Sequence, residues 1–201
     1  MVGILKRKQL PIFGAHIFLK LELFEFKNLI NIPYYVTKMK KSKFSLTYKV
    51  EPILKLVRKT DHKTLAVWAI DCVERVMPYF EEKYPEDPRP RNAIKTLQAW
   101  VRTGIFKMAV IRRAALDSHA AAREVNEDNA ARSAARAAGQ AVATAHVPTH
   151  SVGAASYALQ AIYRSNTSDA DAAVAKERAW QCQKLLARAR ERVRVFEHAQ
   201  N

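Results

Sequence analysis

Beyond residue 60 the apolar residues recur every three or four positions, the period of a helix with one buried face. A short helix is expected from Pro52 to Arg58, since proline suits a first helical turn. Asp61 reads as the N-cap of a helix from His62 to Val76, whose apolar positions are Leu65, Trp68, Ala69, Cys72, Val73 and Val76. Pro78 restarts or kinks that helix through Lys83. The run Pro85-Glu86-Asp87-Pro88-Arg89-Pro90 is a stiff turn, with Asp87 placed to cap the next helix. That helix carries Ala93, Ile94, Leu97, Trp100 and Val101 and stops at Gly104. Another is expected from Ile105 to Val125, with Ile105, Met108, Ala109, Ala115 and Leu116 along its apolar side. Asn126-Glu127-Asp128-Asn129 breaks it and caps a helix from Ala130 to about Ala145. There Arg132, Arg136 and Gln140 form one stripe, and small residues fill the rest. Pro148 opens a helix through Tyr163. After a loop at 165–169, a last helix runs from Ala170 to about Phe196. It sets Trp180, Leu185, Leu186, Val193 and Phe196 against an arginine-rich surface.

Between Ala114 and Tyr163 alanine dominates, which lets helix axes approach closely and favours the helix itself. The fold class is therefore all-α: a single compact bundle of about six to seven helices around an Ala-rich close-packed centre. It is expected to span residues 45–201, after a poorly defined basic N-terminal extension over 1–44. Within that extension Lys6-Arg7-Lys8 and the apolar run from Leu10 to Leu19 resemble a signal peptide. No A-x-A site follows, however, and Lys20, Glu22, Glu25 and Lys27 interrupt the run. No membrane span is expected, because about 20 apolar residues are required. Leu19 to Phe26 could form a strand or an amphipathic segment. Met39-Lys40-Lys41-Ser42-Lys43 has the look of a start, which would leave residues 1–38 outside the native domain.

Charge sharpens this division. The chain carries a net +15. Thirteen Lys/Arg against Glu22, Glu25 and Glu51 place +10 of it in residues 1–60. Such an excess invites nucleic acid or an acidic membrane as partner, and the plainer reading is a solvated surface with a basic arm. Cys72 and Cys182 sit at buried or half-buried helical positions without CxxC spacing. Neither zinc nor a disulfide scaffold is indicated, and a reducing cytoplasm is the simplest compartment.

Candidate chemistry falls into three groups. On one helix Asp71 adjoins Glu74 and Arg75 beside Trp68, giving an Asp–Arg pair with one further carboxylate. This is an ordinary salt bridge or, alternatively, an acid/base or metal-binding edge. His119 shares a face with Arg112, Leu116 and Arg123, and arginines on a core-like face call for acidic partners. The acids of the His62–Val76 helix, or Glu81 and Asp87, are the natural ones. Together with Arg89 and Arg136 these residues make a polar seam that fixes helix register, or an anion-binding pocket of forked guanidinium donors. If the seam is structural, His119→Ala or Arg123→Ala should cost about 1–3 kcal/mol through unsatisfied partners. Finally, His146 and His150 show the H-x-x-x-H spacing of a metal pair, although Pro148 between them works against an unbroken turn. His119, Asp71 or Glu74 would have to supply a third ligand. No cofactor is expected, with a metal ion the alternative. Gly-rich phosphate loops and G-x-S-x-G elbows are absent from the sequence. Arg188, Arg190, Arg192 and Arg194 alternate, wrap around their helix, and read as solvated.

Two stretches carry a family resemblance. The first comprises Leu65-Ala66-Val67-Trp68-Ala69-Ile70-Asp71-Cys72 followed by Phe80-Glu81-Glu82-Lys83-Tyr84-Pro85-Glu86-Asp87-Pro88-Arg89-Pro90-Arg91. The second comprises His119-Ala120-Ala121-Ala122-Arg123 followed by the run from Ala134 to His150, which closes on Ala-Thr-Ala-His-Val-Pro-Thr-His. Over about residues 60–163 the chain resembles small prokaryotic proteins of the "putative immunity protein" family. That resemblance implies an all-helical domain that neutralises a cognate protein toxin by binding, and it transfers no catalytic residue. The extension and the arginine-rich tail helix lie outside the signature. Two other readings stay open: a metal-binding or acid/base enzyme using a His/Asp/Glu cluster, and a basic nucleic-acid-associated protein. A homo-oligomer is compatible with all three.

Overall fold

A computed structural model describes residues 51–166 and 168–198, which form eight helices and no strand. They are α1 (Glu51–Lys59), α2 (His62–Glu74), α3 (Pro78–Glu81), α4 (Arg89–Thr103), α5 (Met108–Glu124), α6 (Ala130–Ala143), α7 (His150–Ser165) and α8 (Ala170–His198). The four-residue α3 at Pro78 is the eighth. The expected extension over 1–44, its boundary at 45, the segment Leu19 to Phe26 and the start at Met39 lie outside the described residues. So do the side chains of Val193 and Phe196.

The helix ends follow the local chemistry. Asp61 Oδ1 accepts the Thr64 amide at 3.1 Å, and Asn129 Oδ1 accepts that of Arg132 at 3.1 Å. Gly104 closes α4 in a left-handed conformation (φ 69°) and donates its amide to Trp100 O at 2.8 Å. Asp87, expected as the cap of α4, sits one residue before the observed N-cap, Pro88, and its Oδ1 accepts the Arg89 amide at 3.1 Å.

At the centre lies α6, against α2, α3, α4, α5 and α7. Nearly all its residues are buried, and only Ala130 at its start and the stripe Arg132, Arg136 and Gln140 are half-buried. Alanine and glycine keep the neighbouring axes close. Ser118 Oγ of α5 donates to the Ala135 carbonyl at 2.7 Å, a bond that requires near backbone-to-backbone packing. Gly139 is needed for the same reason: a Cβ there would lie 2.7 Å from Cε1 of His119.

The second centre is α2, which packs against α4, α6, α7 and α8. Trp68 is fully buried and donates Nε1–H to the Gln181 carbonyl at 2.9 Å. Gln181, only 1% exposed, in turn donates Nε2–H to Ala155 O at 3.1 Å. One indole and one amide thereby tie α2, α7 and α8 with their polar atoms satisfied.

One helix face departs from expectation. Along α5 the buried residues are Ile111, Ser118, Ala121 and Ala122, followed by Val125. Ile105, Met108 and Leu116, expected on the apolar side, are exposed. Because the facing helix is lined with alanine, the contact stripe of α5 is marked mostly by small residues, and of its large apolar side chains Ile111 is buried whereas Met108, Val110 and Leu116 are exposed. No described helix is long and apolar enough to cross a membrane.

Candidate functional site

The acids of α2 are all engaged, though not with one another. Asp71 accepts a two-pronged pair from Arg188 of α8 at 2.7 and 2.8 Å, in place of the expected bond from Arg75. Arg75 instead donates to Glu177 of α8 at 2.8 and 2.9 Å and lies over the Trp180 ring, 4.0 Å from its centroid. Glu74 accepts from Arg91 at 2.6 Å, while the same guanidinium holds Glu81 at 2.7 Å. Arg89 grips Asp87 at 2.7 and 2.8 Å and also Glu124 at the far end of α5. The Arg91 and Arg89 bonds hold the Glu81 and Asp87 carboxyls below their usual range. Arg188, expected to be solvated, is thus half-buried and paired. Sequence reasoning missed Glu177 and Gln181, which recur with Val174 and Leu185 as one buried stripe of α8. That periodicity is the signal that could have found them.

The expected seam on α5 does not form. Arg112, Leu116 and Arg123 are exposed, and among the described residues Arg112, Arg123 and Arg136 make no ion pair. Of the expected seam members Arg89 does meet Asp87, whereas Glu81 and Glu74 are taken by Arg91 and Asp71 by Arg188. His119 alone turns inward, its ring on the Gly139 backbone and its buried Nδ1 without a hydrogen-bond partner. Burial, and then Arg136 and Arg123, push its pKa down, so the imidazole is neutral at pH 7.

His146 and His150 do not share a helix face. His146 lies in the turn after α6, whereas His150 is the first residue of α7. Their rings are 5.2 Å apart. His146 donates Nδ1–H to Ala143 O, and His150 donates Nδ1–H to Gln140 Oε1, each at 2.8 Å. No group of three His, Cys, Asp or Glu side chains fit to hold a metal occurs among the described residues. Both cysteines are reduced, Cys72 buried and Cys182 half-buried. Burial raises both thiols, Cys182 to about 11, so neither is a ready nucleophile.

A different surface emerges where α4 meets α5. After Gly104 the chain is non-helical through Lys107, itself extended, and enters α5 with no side-chain N-cap. All nine residues from Arg102 to Val110 are exposed. Ile105, Phe106, Met108, Val110 and Leu116 remain between 44% and 66% accessible. Their exposure follows from topology, since α5 packs mainly against α4 and α6 and so forms an edge. Beside them an open groove of about 410 Å³ runs between Asn92 and Thr96 of α4 and Ala109, Val110 and Ala114 of α5. From Pro88 to Leu116 the chain holds seven arginines and lysines and no carboxylate. Lys95, Arg102, Lys107 and Arg112 have no acidic partner among the described residues. Several large apolar side chains exposed among unpaired cations make this edge a candidate interaction surface. Its sequence signal is the adjacent pair Ile105-Phe106, which no single helical stripe can bury.

Residues 55–188 match the model of a family described as "Imm-5 like putative immunity protein". No curated protein and no solved structure matches the chain.

Proposed function

The chain belongs to the Imm-5 like immunity protein family, and on that basis we propose that it neutralises a cognate protein toxin by non-enzymatic binding, in the cytoplasm of the cell that makes it. The observation that carries this reading is an exposed apolar surface on a body whose helices are tied by arginine–carboxylate pairs, α2 to α8, α2 to α4 and α4 to α5. A partner meeting such a body does not have to order it first, so little contact energy is lost to conformational entropy. The net positive charge adds speed, because a basic inhibitor is steered toward an acidic toxin face and is released slowly once its apolar contacts close.

The test uses the full chain and the toxin-like proteins encoded beside it. Co-expression should restore growth to cells poisoned by one of them. An inactive form of that toxin should co-elute with the chain as a defined complex. If none of the neighbouring products is bound and none is neutralised, toxin binding is refuted.

A further inference from the structure

Building on that function, we infer that the partner docks on the α4–α5 edge and that its own contact surface is acidic around an apolar centre. Five of the six large apolar side chains exposed among the described residues lie on this edge, with Val147 the exception. The groove supplies a slot for an apolar side chain of the partner. The groove itself is lined at its charged positions by Arg89, Arg113 and Asp117. Elsewhere on α4, α5 and the turn between them Lys95, Arg102, Lys107 and Arg112 have no carboxylate partner among the described residues, and Lys63 Nζ approaches Gly104. Arg113 is already paired with Asp117 at 2.8 Å.

Charge complementarity decides between occupants. A second copy would bring the same cations against these. The first sixty residues carry a net +10, so their composition offers no excess of acid to match these cations. A nucleic acid would answer the cations but leave Ile105, Met108, Val110 and Leu116 without stacking partners, as Phe106 is the one aromatic ring in the patch. An acidic protein face with a protruding apolar side chain satisfies both halves of the surface. The rim then sets the association rate, and the apolar centre holds the complex.

A probe can be built without knowing the toxin. It is a helical peptide of about 20 residues with leucines on one face and glutamates on the other, compared with a twin carrying lysine for glutamate. With the full chain in about 150 mM salt, calorimetry should show the acidic peptide binding at least about tenfold more tightly. Backbone amide shifts should centre on residues 102–116. Val110→Asp combined with Leu116→Asp should weaken binding at least about tenfold, and Val147→Asp should not. Both edge positions are exposed, and unchanged melting will verify that the double variant folds. Equal affinity for the two peptides would overturn the inference, as would no binding at about 1 mM or shifts centred elsewhere. Sedimentation showing a dimer that Val110→Asp dissolves would assign the edge to a second copy and overturn it too. The two levels fail separately. If a neighbouring toxin binds but is indifferent to Val110→Asp and Arg112→Glu, the site is wrong and toxin binding stands. If the peptide behaves as expected and no toxin binds, the surface chemistry stands and the function falls.

Discussion

The α2–α8 side and the α4–α5 edge draw on the same ingredients, arginines and apolar side chains, and use them in opposite ways. Between α2 and α8 two guanidinium groups meet carboxylates across the helices, as Arg75 meets Glu177 and Arg188 meets Asp71. The apolar groups there, Trp68 and Leu185 among them, are sealed from water. Along α4–α5, Arg102, Lys107 and Arg112 meet no acid, and Ile105, Phe106 and Val110 stay wet. Burial and pairing make the first region architecture. In the second, pairing among the described residues is confined to Arg89, Arg91 and Arg113, and the remaining cations and exposed apolar groups are left for a partner.

The contrast can be broken most decisively at Trp68. Replacing it by Ala empties a sealed site and orphans the Gln181 carbonyl, so thermal or urea unfolding should report a loss of about 3–5 kcal/mol. A loss below about 1 kcal/mol would deny that this side specifies the fold. Next comes Glu177→Ala. Glu177 is 4% exposed, whereas Arg75 is 43% exposed and can turn to water once released. The cost should therefore fall short of breaking a fully buried pair, about 2–3 kcal/mol by urea unfolding.

Gly139→Ala sharpens the contrast inside the centre itself. The new methyl must displace the His119 ring, which costs about 1–3 kcal/mol. Improved helix propensity returns up to about 1 kcal/mol, leaving a net loss near 1–2. Adding His119→Ala should recover most of it, and a double-mutant cycle showing no coupling would refute the contact.

These sites also show what the sequence carries and what it hides. The helices, the caps at Asp61 and Asn129 and the stop at Gly104 were legible, because each depends on residues within a few positions. The partners of Asp71, Glu74 and Arg75 were not, since α8 and α4 supply them from 17 to 117 residues away. Local spacing instead suggested a pair within α2. The face of α5 was misread for another reason. Large apolar residues ordinarily mark the packed stripe, but against an alanine-lined neighbour only Ile111, Ser118, Ala121 and Ala122 fit. The candidate edge was therefore present in the sequence as Ile105, Met108 and Leu116 but assigned to the interior.

Acid should act on two further sets of groups in different windows: the histidines packed around α6, and the carboxylates held by Arg89 and Arg91 of α4. Burial lowers the pKa of His119 and of His150 below the ordinary value of 6.5, so the unfolded chain binds protons more readily than the native one. Their contribution is complete above pH 6.5 and is lost as pH falls through the lower native values. Glu81 and Asp87, held down by Arg91 and Arg89, contribute above their ordinary values of 4.5 and 3.8 and fail only in stronger acid. Melting temperature should thus fall in two stages. His119→Gln should flatten the first stage and leave the second. A first stage unchanged by that variant would remove His119 from the account.

The smallest expected effects lie at the edge, and they test the contrast from its quiet side. Val110→Asp, Leu116→Ser and Arg123→Ala each alter a side chain that is exposed, and Arg123 makes no ion pair among the described residues. Each should change unfolding free energy by no more than about 0.5 kcal/mol. For Arg123 this replaces the about 1–3 kcal/mol expected of a buried seam member, because no buried partner is left behind. A loss above about 1 kcal/mol at Val110 or Leu116 would mean that another part of the chain covers the edge, making it architecture like the α2–α8 side. Stability within the stated limit, with partner binding abolished, would separate the two regions cleanly: one set of arginines and apolar groups holds the helices, and the other holds the partner.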